Sequence, residues 1–252
     1  MLEEMGVRVF DPNSHPGRVD GTPPNAPRQA GGAADLRPAG SAMPNRRPGS
    51  PDVQVAPVRQ ARPGGVEEMA WDSLAQTVAA CRACKLCDGR RNTVFGVGPQ
   101  RADWMVIGEA PGENEDLQGE PFVGQAGKLL DNMLAALGLN RRQHVYIANV
   151  LKCRPPGNRN PEPDEVAQCE PFLRRQVALV QPRVILAMGR FAVQTLLQTT
   201  EPIGKLRGRT HVYNGVPVIV TYHPAYLLRN LPDKAKAWAD LCMAQALLRA
   251  EA

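Results

Sequence analysis

The chain has 252 residues, 43% of them apolar, enough for one domain of ordinary size or two small ones. Its 30 basic and 25 acidic residues leave a formal charge of +5, which suits a polyanionic partner without demanding one. No stretch approaches the ~20 consecutive apolar residues of a membrane span, and the opening MLEEMGVRVF lacks a charged segment followed by an apolar one, so a soluble, cytoplasmic protein with no signal peptide and no membrane partner is expected.

Residues 1–65 are dominated by Pro, Gly, Ala, Arg and Asn, with no run at helical or strand period. Such a segment cannot bury enough surface to offset its chain entropy, and a disordered tail is expected there, followed by one domain over 66–252. Within that domain WMVIG (104–108), VYIANV (145–150), VILAMG (184–189) and VPVIVTYHP (216–224) have the length and β-branched content of buried strands. Between them, Leu129, Leu130, Met133, Leu134 and Leu137 form one apolar stripe that Gly138 can stop. Further helices are predicted over 164–180, opened by Pro163, over 190–197, and in a last segment carrying Trp238, Leu241, Cys242 and Leu248. Strands alternating with helices predict an α/β fold with a parallel sheet covered on both faces and its function at the carboxyl ends of the strands. The loop after Gly108, the loop after Val150 and the turn HPAYLL then share one rim.

Five of the six cysteines fall in two groups: CRACKLC, with Cys81, Cys84 and Cys87, and Cys153 with Cys169. A close pair plus a distant pair of thiolates can surround a zinc ion or an iron–sulfur cluster, and spacing alone allows either, just as it allows Cys81/Cys84 or Cys84/Cys87 as the close pair. Cys242, placed on the apolar side of the last helix, reads as an ordinary buried thiol. Phosphate-binding readings fail. Gly124 is at the wrong distance from Lys128 for a P-loop, Leu129 stands where Ser or Thr is needed, and GVGPQR lacks the third glycine of a dinucleotide fingerprint. The His-x-Glu of a zinc deaminase is also missing. In GEAPGENE, small residues make a tight turn whose N–H groups can approach a flat ligand, while Glu109, Glu113 and Glu115 supply acceptors or a base.

Taken together, GEAPGENEDLQGEPFVGQAGKLLD, NVLKCRPPGNRNPEPDE and HPAYLLR, with the two cysteine pairs, closely resemble the family 4 uracil-DNA glycosylases, which carry an iron–sulfur cluster. The likeness runs from Cys81 to Arg229 in order. It implies the uracil-DNA glycosylase-like three-layer fold with a central parallel four-stranded sheet, and a 4Fe-4S cluster on Cys81, Cys84, Cys153 and Cys169 that leaves Cys87 out. The implied reaction is base excision repair chemistry, hydrolysis of the N-glycosidic bond of uracil in DNA by a monofunctional, monomeric enzyme.

By the same resemblance Phe122 stacks on the flipped base, Asn149 reads its Watson–Crick edge, and His223 donates to O2 of the departing anion. Ala110, Gly112 and Glu115 would line the base site, with Glu115 crowding the position of a thymine methyl. Arg154, Arg159, Leu227 and Arg229 would meet the DNA, the leucine as an apolar wedge. Better-known relatives carry an aspartate where Ala110 stands, so Glu109 is the carboxylate assigned to the water. The alternative class is a cluster-bearing, non-catalytic DNA-binding adaptor of a polymerase.

Overall fold

A computed structural model describes residues 65–250; the segment expected to be a tail therefore lies outside the described residues except for Gly65. Five strands form one sheet: β1 (Trp104–Gly108), β2 (Val145–Asn149), β3 (Val184–Met188), β4 (Thr210–Tyr213) and β5 (Val216–Thr221), in the order β2-β1-β3-β5-β4. The four expected strands are the parallel ones. The fifth, β4, pairs antiparallel with β5 and was not among the predicted elements. Its signal was present: Asn214 and Gly215 both take positive φ, 49° and 81°, the two-residue turn that matches the twist of a hairpin. Only half of β4 faces the protein, so its apolar alternation is weak.

β1, β2 and β3 are buried on both faces along their whole length, which is why they read as unbroken apolar runs. Alternate residues feed two cores. Met105, Ile107, Tyr146, Ala148, Ile185 and Ala187 face one layer, built from α4 (Pro163–Val180) and α5 (Arg190–Leu197). Trp104, Val106, Val145, Ile147, Val184 and Leu186 face the other, built from α3 (Gln125–Ala135) and α8 (Asp233–Ala250). The other α-helices among the described residues are α1 (Trp71–Ala80), α2 (Glu113–Gln118), α6 (Ile203–Leu206) and α7 (Pro224–Leu227). Cys242 on α8 is exposed, against its expected burial. The buried stripe of α8 runs through Ala237, Leu241 and Ala244, and Cys242 lies one residue off it.

The register places Gly108 opposite Asn149 and Met188 opposite Thr221. Four parallel strands thus end level. Because β2 and β3 lie on opposite sides of β1, the chain reverses its direction of travel across the sheet beside β1, and loops leaving there diverge to open a crevice.

Candidate active site and cysteine cavity

At that rim the structure brings Glu109, Ala110, Gly112, Glu115, Phe122, Asn149, Arg159, His223 and Arg229 around one cavity of about 490 Å³, within the roughly 300–1,000 Å³ of small-molecule sites. Gly108 explains the convergence. A Cβ at this strand end would come within 2.4 Å of Asn149 Oδ1 and 2.5 Å of the Phe122 ring, so only glycine lets both side chains lean over it. Asn149 is 2% exposed, and its Oδ1 has no hydrogen-bond partner among the described residues. A buried acceptor left in that state costs ~1–3 kcal/mol, a cost that a ligand with a matching donor removes.

His223 precedes α7 and caps it: Nδ1 accepts from the Ala225 N–H at 3.1 Å. That bond leaves the proton on Nε2, so the free nitrogen is a donor. Loss of hydration pulls the imidazole down to about 4, against a smaller pull upward from Glu115, and the ring is neutral at ordinary pH. It stacks with Phe122 at 5.4 Å between ring centres and 27° between planes. Gly189, at φ 91°, makes room where a Cβ would press on the His223 side chain at 3.0 Å. Glu109 is pushed up to about 7 by burial, with the Arg190 charge opposing, so a substantial fraction is protonated at neutral pH.

Glu115 lies at the cavity wall as expected, and two other expected roles change once partners are visible. Glu115 has its oxygens committed: Oε2 accepts from the Gly112 N–H at 3.1 Å, and Oε1 from Val123 and Gly124 at 2.9 and 3.1 Å. It folds the loop around the cavity. Arg159 lines the cavity but spends its guanidinium on the fully buried carboxylate of Glu165 and on Glu162. Leu227 is fully buried in the core between α7 and its neighbours and cannot be a wedge; Leu228, next to it, is 42% exposed. A four-residue helical turn rotates neighbouring side chains to different faces, which a run of two leucines does not reveal. Arg154 donates from Nε to Asn158 Oδ1 at 2.7 Å and stands 3.7 Å from Glu113, while Arg229 is exposed at the cavity mouth.

A second, smaller cavity is lined by Cys81, Cys84, Cys87, Cys153 and Cys169, with Arg90, Lys152 and Phe172. Cys81 ends α1, Cys84 precedes a short 3₁₀ turn (Lys85–Asp88), Cys153 follows β2 and Cys169 is on α4. Among the described residues no three His, Cys, Asp or Glu side chains are drawn tightly enough to hold a single metal ion. Burial pushes the Cys153 thiol up to about 11 and Cys169 to about 12, and raises Cys84. Arg90 Nη1 donates to Cys153 Sγ at 3.0 Å. Cys87 points its thiol at Asp88 Oδ1, 3.3 Å away. Lys152, 1% exposed, links the two cavities: its Nζ donates to the Asn149 carbonyl at 2.7 Å and to Gln176 Oε1 at 2.6 Å.

Residues 95–242 match the model of the uracil DNA glycosylase superfamily, more than half of the chain. The chain is 46% identical over 170 residues to a type-4 uracil-DNA glycosylase of Saccharolobus solfataricus, covering 64% of this chain and 78% of the relative. It is also 46% identical over 165 residues to the type-4 uracil-DNA glycosylase of Archaeoglobus fulgidus, covering 62% and 82%. Within that superfamily, the chain belongs to the type-4 uracil-DNA glycosylases.

Proposed function

We propose that this chain is a monofunctional uracil-DNA glycosylase that hydrolyses the bond between N1 of uracil and C1′ of deoxyribose, releasing uracil and leaving an abasic site. The observation that carries the reading is the buried, unpartnered Oδ1 of Asn149, beside the Phe122 ring and in the same cavity as His223. Uracil satisfies it. N3–H of the base donates to Oδ1 and the Asn149 amide donates to O4, whereas cytosine offers an acceptor and a donor in the reverse order and leaves both sides unpaired.

A base inside a duplex is out of reach, so the nucleotide is extruded into the cavity at a cost of a few kcal/mol. Exposed Leu228 has the position and apolarity to fill the gap left in the stack, with Arg229 beside it for the phosphates. As the glycosidic bond breaks, its electron pair goes to N1 and charge spreads to O2. Neutral His223 donates its Nε2 proton in a hydrogen bond to that oxygen without itself having to lose a charge. Water adds at C1′ from the Glu109 side, and the carboxylate, when ionised, orients it and takes its proton.

Cys81, Cys84, Cys153 and Cys169 are the residues that would hold a 4Fe-4S cluster. Their fit is chemical: thiols that burial keeps protonated become ligands only when a cationic group replaces the proton. All four line one cavity, and Cys87, which lines it too, is left out of the set because its thiol donates to Asp88 Oδ1. Bound there, the cluster would cross-link the end of α1, the loop after β2 and α4 through these four cysteines. Release of labelled uracil from single- and double-stranded oligonucleotides tests the activity; no release from either overturns it.

A further inference from the structure

Phe122, the stacking platform in the reading above, sits at φ 54°, where an aromatic residue is rarely found. Such a conformation persists only when its surroundings over-determine it. Contacts on both sides of the residue do so. Arg141, in the turn before β2, donates from Nη1 to the Pro121 carbonyl at 3.1 Å and from Nη2 to the Phe122 carbonyl at 2.8 Å. The Nε of the same guanidinium donates to Asp131 of α3 at 2.6 Å. Beyond the ring, the N–H groups of Val123 and Gly124 are fixed by Glu115. Gly127 completes the seat, because a Cβ there would lie 1.7 Å from the Phe122 oxygen.

We propose that Arg141 is a positioning residue for uracil excision: its fork on two successive carbonyls sets the tilt of the Phe122 ring, with Asp131 orienting the fork. Its side chain is only 13% exposed and lies outside the residues lining the base cavity, so it meets neither phosphate nor base. The residue type follows from the task. A planar guanidinium reaches two carbonyls and a carboxylate at once in fixed directions; an ammonium on a flexible stem cannot hold all three. The proposal rests on Phe122 being the platform for the base.

A double-mutant cycle tests it, read as kcat/KM for uracil release and as the inhibition constant of free uracil, which touches only the cavity. Arg141→Ala weakens both by about tenfold to a hundredfold. In a Phe122→Leu background the same change adds no more than about twofold, because the ring it positions is gone. Asp131→Asn, which keeps the guanidinium, gives a smaller shift of the same kind and serves if Arg141→Ala folds poorly. Full multiplication of the Arg141 and Phe122 penalties, or an unchanged uracil inhibition constant in both Arg141→Ala and Asp131→Asn, overturns the inference. A Phe122→Leu enzyme with unchanged uracil inhibition overturns the platform reading itself, and the inference with it.

Discussion

The two cavities of this molecule are built on opposite terms. Around the base site several groups are already held by protein: His223 Nδ1 by the Ala225 N–H, Glu115 by three backbone amides, and the Phe122 carbonyl by Arg141. The cysteine cavity holds thiols that burial keeps neutral even with Arg90 donating to Cys153 and Lys152 beside them. The first is organised before its ligand arrives, as electrostatic catalysis requires. On the proposed reading the second would be completed by the cluster it holds, and its contribution would then be to folding.

That contrast can be broken by experiment. The largest effect is expected at His223: His223→Ala lowers the single-turnover rate by about 10²–10³, the scale of one lost oxyanion donor, while DNA binding in a gel-shift assay is unchanged. Next comes Gly108→Ala, which drives a Cβ into both Asn149 and Phe122 and should lower kcat/KM by about a hundredfold at intact iron content. Cys169→Ser should do the reverse. It lowers iron content and the unfolding midpoint, by an amount comparable to ~2–5 kcal/mol for a lost structural cross-link, with a smaller loss of activity per folded molecule.

The pH dependence sharpens the same comparison. The Glu109 carboxylate must be ionised to act, so the rate rises with pH through about 7 and then levels, by up to about tenfold per unit below that value; Glu109→Gln removes the rise. Stability moves the other way: with the folded pKa above that of the unfolded chain, the folded state binds more protons, and Glu109 contributes less stability as pH rises through about 7. Thermal melts of wild type and Glu109→Gln at pH 6 and pH 8 check the sign. The smallest effect is expected from Leu228→Ala, a loss of severalfold on duplex DNA and less on single strands, where there is no stack to fill.

Much of this was legible in the chain. The parallel strands announce themselves because burial on both faces makes them continuous apolar runs, and the stripe of Leu129, Leu130, Met133 and Leu134 is one helical face. The edge strand β4 was missed because exposure erases its pattern, although Asn214-Gly215 marks its turn. Leu227 and Leu228 could not be told apart, since a single helical turn decides which of two adjacent leucines enters the core. Arg159 read as free because its partner Glu165 is buried on the following helix.

The sequence alone determined the buried elements and which residue types reach the rim, because periodicity, glycines at strand ends and the spacing of cysteines are local properties of the chain. Tertiary structure decided which of those side chains were already committed. Glu115 became a clasp, Arg159 a strut and Arg141 a support for Phe122, because a hydrogen bond depends on distance and direction in space, and neither is encoded in separation along the sequence.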